Sequence, residues 1–231
     1  SQPSCKVWPR LVIVEGIMGS GKSTAVLGIA DRLKASGISA LGITEGAHPH
    51  PIRFDWDLPW ASVPAAEIAD ASVKRWMDFA GRAASSGTIS IADGQLFHGN
   101  LTSLFLLEAD MDLMRGYVNS IAATIAPLHP FLIYFHQDDV DQAIRAIATE
   151  RGDPWVQYQV DWKLGSPYAR RRGLKGIDGL VDLYRDYRRL TDELYAGLNI
   201  RKISIENSSR EWSRYDTMID RCLARPEVPP V

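Results

Sequence analysis

The chain is short of several features, and each shortage narrows the field. Its 231 residues hold only two cysteines, Cys5 and Cys222, near opposite ends. A small secreted scaffold stapled by disulfides needs a denser framework than that. The longest apolar runs, residues 11–14 and 131–135, fall far below the roughly 18 to 20 residues of a bilayer span. The opening SQPSCKVWPR has no apolar signal core, so a reduced cytoplasmic setting without a membrane partner is expected. Charge of one sign is not in excess either: 26 basic residues against 28 acidic ones leave a net −2. No global field then draws in nucleic acid or an anionic membrane, and no nucleic-acid partner is expected. Repeats and low-complexity tracts are missing as well, which argues against solenoids and tails.

What is present is an ordinary globular composition, 45% hydrophobic and 23% charged, over a length that suits one large domain. Five short apolar or β-branched runs stand at 11–15 (LVIVE), 39–44 (SALGIT), 88–92 (TISIA), 131–135 (FLIYF) and 201–205 (RKISI). Helical periodicity separates them, at 22–36, 65–85, 101–125, 140–150, 180–198 and 211–223. The alternation predicts βαβ units: a three-layer α/β fold with a five-stranded parallel sheet flanked by helices, in a single domain over 1–231. Residues 46–64 and 152–176 mix Pro, Gly, Trp and charge, and read as an acceptor loop and a lid rather than core. The tail from Pro226 reads as extended.

The strongest local signal is Gly16-Ile17-Met18-Gly19-Ser20-Gly21-Lys22-Ser23, which fits G-x-x-x-x-G-K-[ST] at every position. A strand pattern precedes it and a helix pattern follows. Glycines let the backbone wrap a phosphate with successive amide N–H groups, and the helix adds its positive end. Lys22 then reaches the β/γ-phosphates of ATP, and the Ser23 hydroxyl ligates Mg²⁺. Gly16, Met18, Gly19, Ser20, Gly21, Lys22, Ser23 and Thr24 are the candidate nucleotide-binding residues.

Acids at strand ends supply the next candidates, because ligands of parallel sheets sit beyond the carboxyl ends of the strands. Glu15, Glu45, Asp93 and Asp138 all follow such ends. Phosphoryl transfer needs one acid on the metal side and one that orients or deprotonates the acceptor. Asp93 is the candidate for metal ligand or base, with helix capping as the alternative. Glu45 is the candidate for the acceptor side, with plain loop solvation as the alternative. Glu15 is expected to hold the phosphate loop. Arginines near the γ-phosphate are worth about 10³ to 10⁵ in rate, which brings in Arg145 and Arg151. Six residues apart, they share no helical stripe, and converge only if the helix ends near Arg151. Arg170, Arg171 and Arg172 with Lys175 read either as a mobile basic lid or as a solvated surface.

The acceptor side is read from residues 46–64. His48, Arg53, Trp56 and Trp60 could contact a polar substituent or stack on a ring, or could pack as a Pro-stiffened loop. His48 and His50 have no evident third ligand for zinc. Gln95 and His98 approach from the same rim as further substrate contacts, and Asn100 as a contact or cap. Asn207 lines a base site or caps the last helix.

The stretch from Glu15 to Thr24 resembles the EGxxGSGKST opening of thymidylate kinases and deoxynucleoside kinases, in the nucleoside-monophosphate-kinase-like branch of P-loop proteins. Thr44-Glu45-Gly46 is similar to the place where deoxynucleoside kinases carry a Glu facing the acceptor hydroxyl. Asp93 matches their acidic residue at the end of the third strand, although Gly94-Gln95-Leu96 stands where an Arg follows it. The resemblance implies an ATP- and Mg²⁺-dependent phosphotransferase. Its small-molecule acceptor offers a hydroxyl or phosphate and is a nucleoside, a nucleotide, or an antibiotic or natural product. A nucleotide-hydrolysing regulatory switch without a small-molecule acceptor is the alternative, and oligomeric state stays open.

Overall fold

The computed structural model describes residues 8–53 and 62–224. Cys5, Trp56, Trp60 and the tail from Pro226 lie outside them. Five strands form one all-parallel sheet: β1 (Leu11–Glu15), β2 (Ala40–Ile43), β3 (Ile89–Asp93), β4 (Phe131–His136) and β5 (Arg201–Glu206), in the order β2-β3-β1-β4-β5. Each expected strand is present, with ends shifted by no more than a residue. All five residues of β1 are buried, as a central strand covered on both faces requires.

The helices divide into two layers, and β1 shows how. Val12 and Val14 share one core with Ala25, Val26 and Ile29 of α1 (Lys22–Ala35) and with Tyr215 and Ile219 of α9 (Trp212–Leu223). Leu11 and Ile13 point into the other core. That side is covered by α2 (Ala65–Ser85), α3 (Asn100–Leu106), α4 (Met111–Ile125), α5 (Val140–Arg151) and α8 (Gly176–Gly197). Side-chain alternation along one strand thus feeds a core on each face of the sheet. The helix after β1 packs on one face and those after β3 on the other. The rim between these two adjacent strand ends is the switch point where ligands of such sheets sit.

Two sequence expectations fail. Residues 152–176 are mostly helical: α6 (Asp153–Leu164) and α7 (Pro167–Arg171) occupy them. Pro154 sits in the first turn of α6, where its missing N–H costs nothing, and Ser166 caps α7 by accepting from the Ala169 N–H. The prolines and glycines there punctuate helices. The long helix over 101–125 is two helices, because Asp110 accepts a hydrogen bond from the Leu113 N–H (2.8 Å) and starts α4 afresh. Among the described residues no helix is long and apolar enough to cross a membrane.

Candidate active site

Residues 16–23 form a tight turn between β1 and α1. Gly19 and Gly21 hold φ of +77° and +87°, a region that side-chain-bearing residues rarely adopt. A Cβ on Gly19 would lie 2.8 Å from Ile147 Cγ1, and one on Gly21 would overlap the Trp212 ring. The turn is also tied from outside. Asn207, just after β5, donates from Nδ2 to the Ser20 carbonyl (2.7 Å) and accepts from Gln137 Nε2 (2.5 Å). Asn207 therefore braces the loop, and does not cap α9, whose cap position is Glu211. The Lys22 ammonium, buried at 6% exposure, donates back to the Ile17 carbonyl (3.1 Å).

Pairing of β1 with β3 in parallel register sets Val14 opposite Asp93, so the end of β3 lies beside the turn. The Ser23 hydroxyl donates to Asp93 Oδ2 at 2.5 Å, while Asp93 Oδ1 is buried without a hydrogen-bond partner. A hydroxyl and an orphaned carboxylate oxygen beside the glycine-shaped turn are hard oxygen ligands. They fit Mg²⁺, which is held by few protein groups and completes its shell with water and phosphate. The described residues contain no group of three or more His, Cys, Asp or Glu able to hold a metal, and a magnesium site of this kind needs none.

Glu15 is fully buried and does a different job from the one expected. Its Oε1 accepts from the Leu96 and Phe97 N–H groups (2.9 and 2.7 Å) and its Oε2 from the His98 N–H (3.1 Å). It holds the turn after β3, not the phosphate loop. Burial pushes its carboxyl up to about 7, against the pull of those backbone N–H groups. Tyr187 of α8 braces the same turn, donating to the Phe97 carbonyl (2.7 Å) and accepting from the Thr102 hydroxyl (3.0 Å). Within the turn Gln95 adopts φ +80° and donates its N–H to the His98 carbonyl (2.6 Å). Backbone strain of this sort persists only where the surroundings enforce it. Gln95 is itself buried, away from the cleft lining, whereas His98 is presented to the cleft.

The cleft has a volume of about 970 Å³. Met18, Gly19, Gly21, Lys22, Ser23 and Thr24 line one end, and Glu45, Arg53 and His98 another part of its wall. His98 Nε2 lies 3.3 Å from Glu45 Oε1. Burial lowers the His98 pKa, against the pull of Glu45. Their hydrogen bond takes the Glu45 carboxyl down to about 2, although half of the side chain is open to water, which screens the pair. Arg53 donates to the Glu45 carbonyl (2.6 Å) and fixes the backbone there. A smaller cavity of about 570 Å³, on the far side of the loop, is lined by Gln137, Asp139, Gln142, Thr149, Asn207 and Ser208, among others.

Other expected residues fall elsewhere. Arg151, the last residue of α5, lines the cleft and has no ion-pair partner among the described residues. Arg145 does not join it: its guanidinium is bound to Asp141 and Asp178, both at 2.5 Å, on the outside of the helix. Arg171 and Arg172, at the end of α7, pair with Glu108 on the surface. His48 is exposed and off the cleft lining. Buried His50 accepts at Nδ1 from the Ile52 and Arg53 N–H groups (3.1 and 2.7 Å), a turn-forming role.

The wall that sequence reasoning missed is α6. Trp155, Tyr158, Gln159, Trp162 and Lys163 all line the cleft from it. Their spacing repeats at three and four residues, one helix face. That signal was in the sequence, hidden by reading Gly152, Pro154 and Gly165 as marks of a loop. Comparison with known protein families and with curated proteins finds no match to this chain.

Proposed function

We propose that the protein is a P-loop kinase, an ATP- and Mg²⁺-dependent phosphotransferase acting on a small molecule. The observation that carries this reading is the 2.5 Å bond from Ser23 to Asp93. It joins the phosphate-loop sequence to an acid on the adjacent strand, at the sheet's switch point, and leaves a buried carboxylate oxygen unpaired. Mg²⁺, when bound, draws charge from the phosphate oxygens. The chain's own groups supply the rest. Turning from Ile17 toward the cleft, Lys22 places its charge on the β/γ-phosphates, and the backbone N–H groups of residues 19–23 grip the same oxygens. Asp93 and Ser23 hold the metal, and Arg151 balances charge on the transferred group. Glu45, ionised beside His98, accepts a hydrogen bond from the acceptor hydroxyl and orients it for attack. The smaller cavity beyond the loop takes the nucleotide base.

A cleft that continues well past the phosphate loop, with an aromatic wall, favours transfer to a small molecule over a switch that only hydrolyses nucleotide. Nucleosides and nucleotides come first as acceptors, then hydroxyl-bearing natural products or antibiotics. Incubation with γ-labelled ATP, Mg²⁺ and a panel of those compounds tests this. Label on at least one compound is expected; label released only as free phosphate would refute transfer.

A further inference from the structure

Lys163 is the buried cation that the kinase reading leaves without work. It sits at the end of α6 at 4% exposure, yet lines the cleft. Its ammonium donates to Gln159 Oε1, and lies 4.6 Å from the Trp162 ring centroid and 5.7 Å from that of Tyr184. Every one of these partners is neutral, and among the described residues no carboxylate comes within ion-pair distance. Amide and ring faces compensate a buried ammonium only in part. A fold that keeps such a group in an open cleft lacks one thing for it, an anion. The wider charge balance agrees: Lys22, Arg53, Arg151, Lys163 and Arg210 line the cleft against Glu45 and Glu150, and Arg210 already faces Glu150.

Position adds to this. Lys163 lines the same cleft as Glu45 and Lys22. On the same helix face, half-buried Trp155 and Trp162 line the cleft, and Tyr158 is 64% exposed beside them. Aromatics lining a cleft next to a cation suit a ligand with a ring at one end and a charge at the other.

We propose that α6 forms the acceptor subsite, where Lys163 Nζ grips an anionic substituent, a phosphate or a carboxylate, of an acceptor whose ring lies on the Trp155–Trp162 face. This rests on the kinase reading for the word acceptor, but not for the anion site itself. The anion completes the lysine's hydrogen bonds as a charge-assisted pair. The hydroxyl to be phosphorylated is then held toward Glu45 and His98.

The test is calorimetric titration with matched ligands, in the presence of saturating AMP-PNP and Mg²⁺ so that the phosphate loop is filled. Two series serve: thymidine with its 5′-monophosphate and 5′-carboxylate, and benzyl alcohol with phenyl phosphate and benzoate. In the wild type, at least one anion is expected to bind roughly 10-fold or more tightly than its neutral counterpart; which anion does so separates phosphate from carboxylate recognition. Lys163→Met should erase that gap while AMP-PNP affinity holds, and Lys163→Arg should restore part of it. Because an apolar side chain replaces a poorly compensated charge, the melting temperature of Lys163→Met should stay level or rise. No anion preference in the wild type, a preference that survives Lys163→Met, or a melting temperature lowered by several degrees would each overturn the proposal. Failure of AMP-PNP to bind would refute the kinase reading instead. The anion series is then read on the protein alone, where dependence on Lys163 supports the subsite and dependence on Lys22 overturns it.

Discussion

On the β1 side of the cleft the lining is a tight turn, Met18, Gly19, Gly21, Lys22, Ser23 and Thr24. Glycines 19 and 21 shape the turn, Asn207 ties it down, and the buried Lys22 donates to the Ile17 carbonyl, a neutral partner. On the α6 side the lining is three aromatics, an amide and a lysine whose partners are all neutral. Backbone amides recognise any phosphate and carry no information about the rest of the ligand. Rings and a positioned amine discriminate between ligands. On the proposed reading, the first wall suits the part of the reaction that kinases share, and the second the part that selects the acceptor.

The largest expected effect falls on the β1 wall. Lys22→Ala removes the charge from the β/γ-phosphates and should lower turnover on the order of 10³-fold or more. The melting temperature should change little, since the lost bond is to a loop carbonyl; turnover within 10-fold of wild type would break the comparison. Next come the two acids. Asp93→Asn and Glu45→Gln should each cost at least about 10² in turnover. Nucleotide affinity should weaken with Asp93→Asn when Mg²⁺ is present, and hold with Glu45→Gln. If both variants behave alike in nucleotide binding, the division of labour between the walls is wrong.

Smaller effects come from the brace behind His98. Tyr187→Phe keeps the ring but frees the Phe97 carbonyl and Thr102 hydroxyl, at a cost of about 1 kcal/mol in stability. Acceptor KM should rise several-fold while nucleotide affinity stays put, a split that steady-state kinetics can read. The smallest are pH slopes of opposite sign. Glu15 is raised from 4.5 to about 7 in the fold. Between those values the unfolded chain has lost a proton that the fold still holds, so this group lowers stability as pH rises. Lys163 is lowered from 10.5 to about 7 by burial, which outweighs the pull of Glu45. From pH 7 to 10.5 the unfolded chain holds a proton that the fold lacks, so this group raises stability with pH. Melting curves of wild type, Glu15→Gln and Lys163→Met across pH 4.5 to 10.5 should show each slope vanish with its own residue and not with the other.

How far the sequence reaches follows the same division. β1 through β5 were legible because buried parallel strands are short apolar runs between helical periods, and the tight turn at 16–23 because such a turn tolerates so few residue types. Glu45, His98 and Arg53 were legible as occupants of one rim, since strand ends converge there whatever their side chains. What escaped depends on long-range contacts. Glu15 adjoins the loop in sequence, yet pairs across the sheet with residues 96–98. Arg145 looked like a transition-state cation until α8 brought Asp178 to it. The aromatic face of α6 was lost because Gly152-Asp153-Pro154 serves equally as loop punctuation and as a helix start.

The most direct test of the central claim is titration calorimetry of the intact chain with ATP and with GTP, each with Mg²⁺. One saturable site is expected for at least one nucleotide, with a higher melting temperature on binding and loss of both signals in Lys22→Ala. Absence of heat and of any thermal shift with both nucleotides would contradict it.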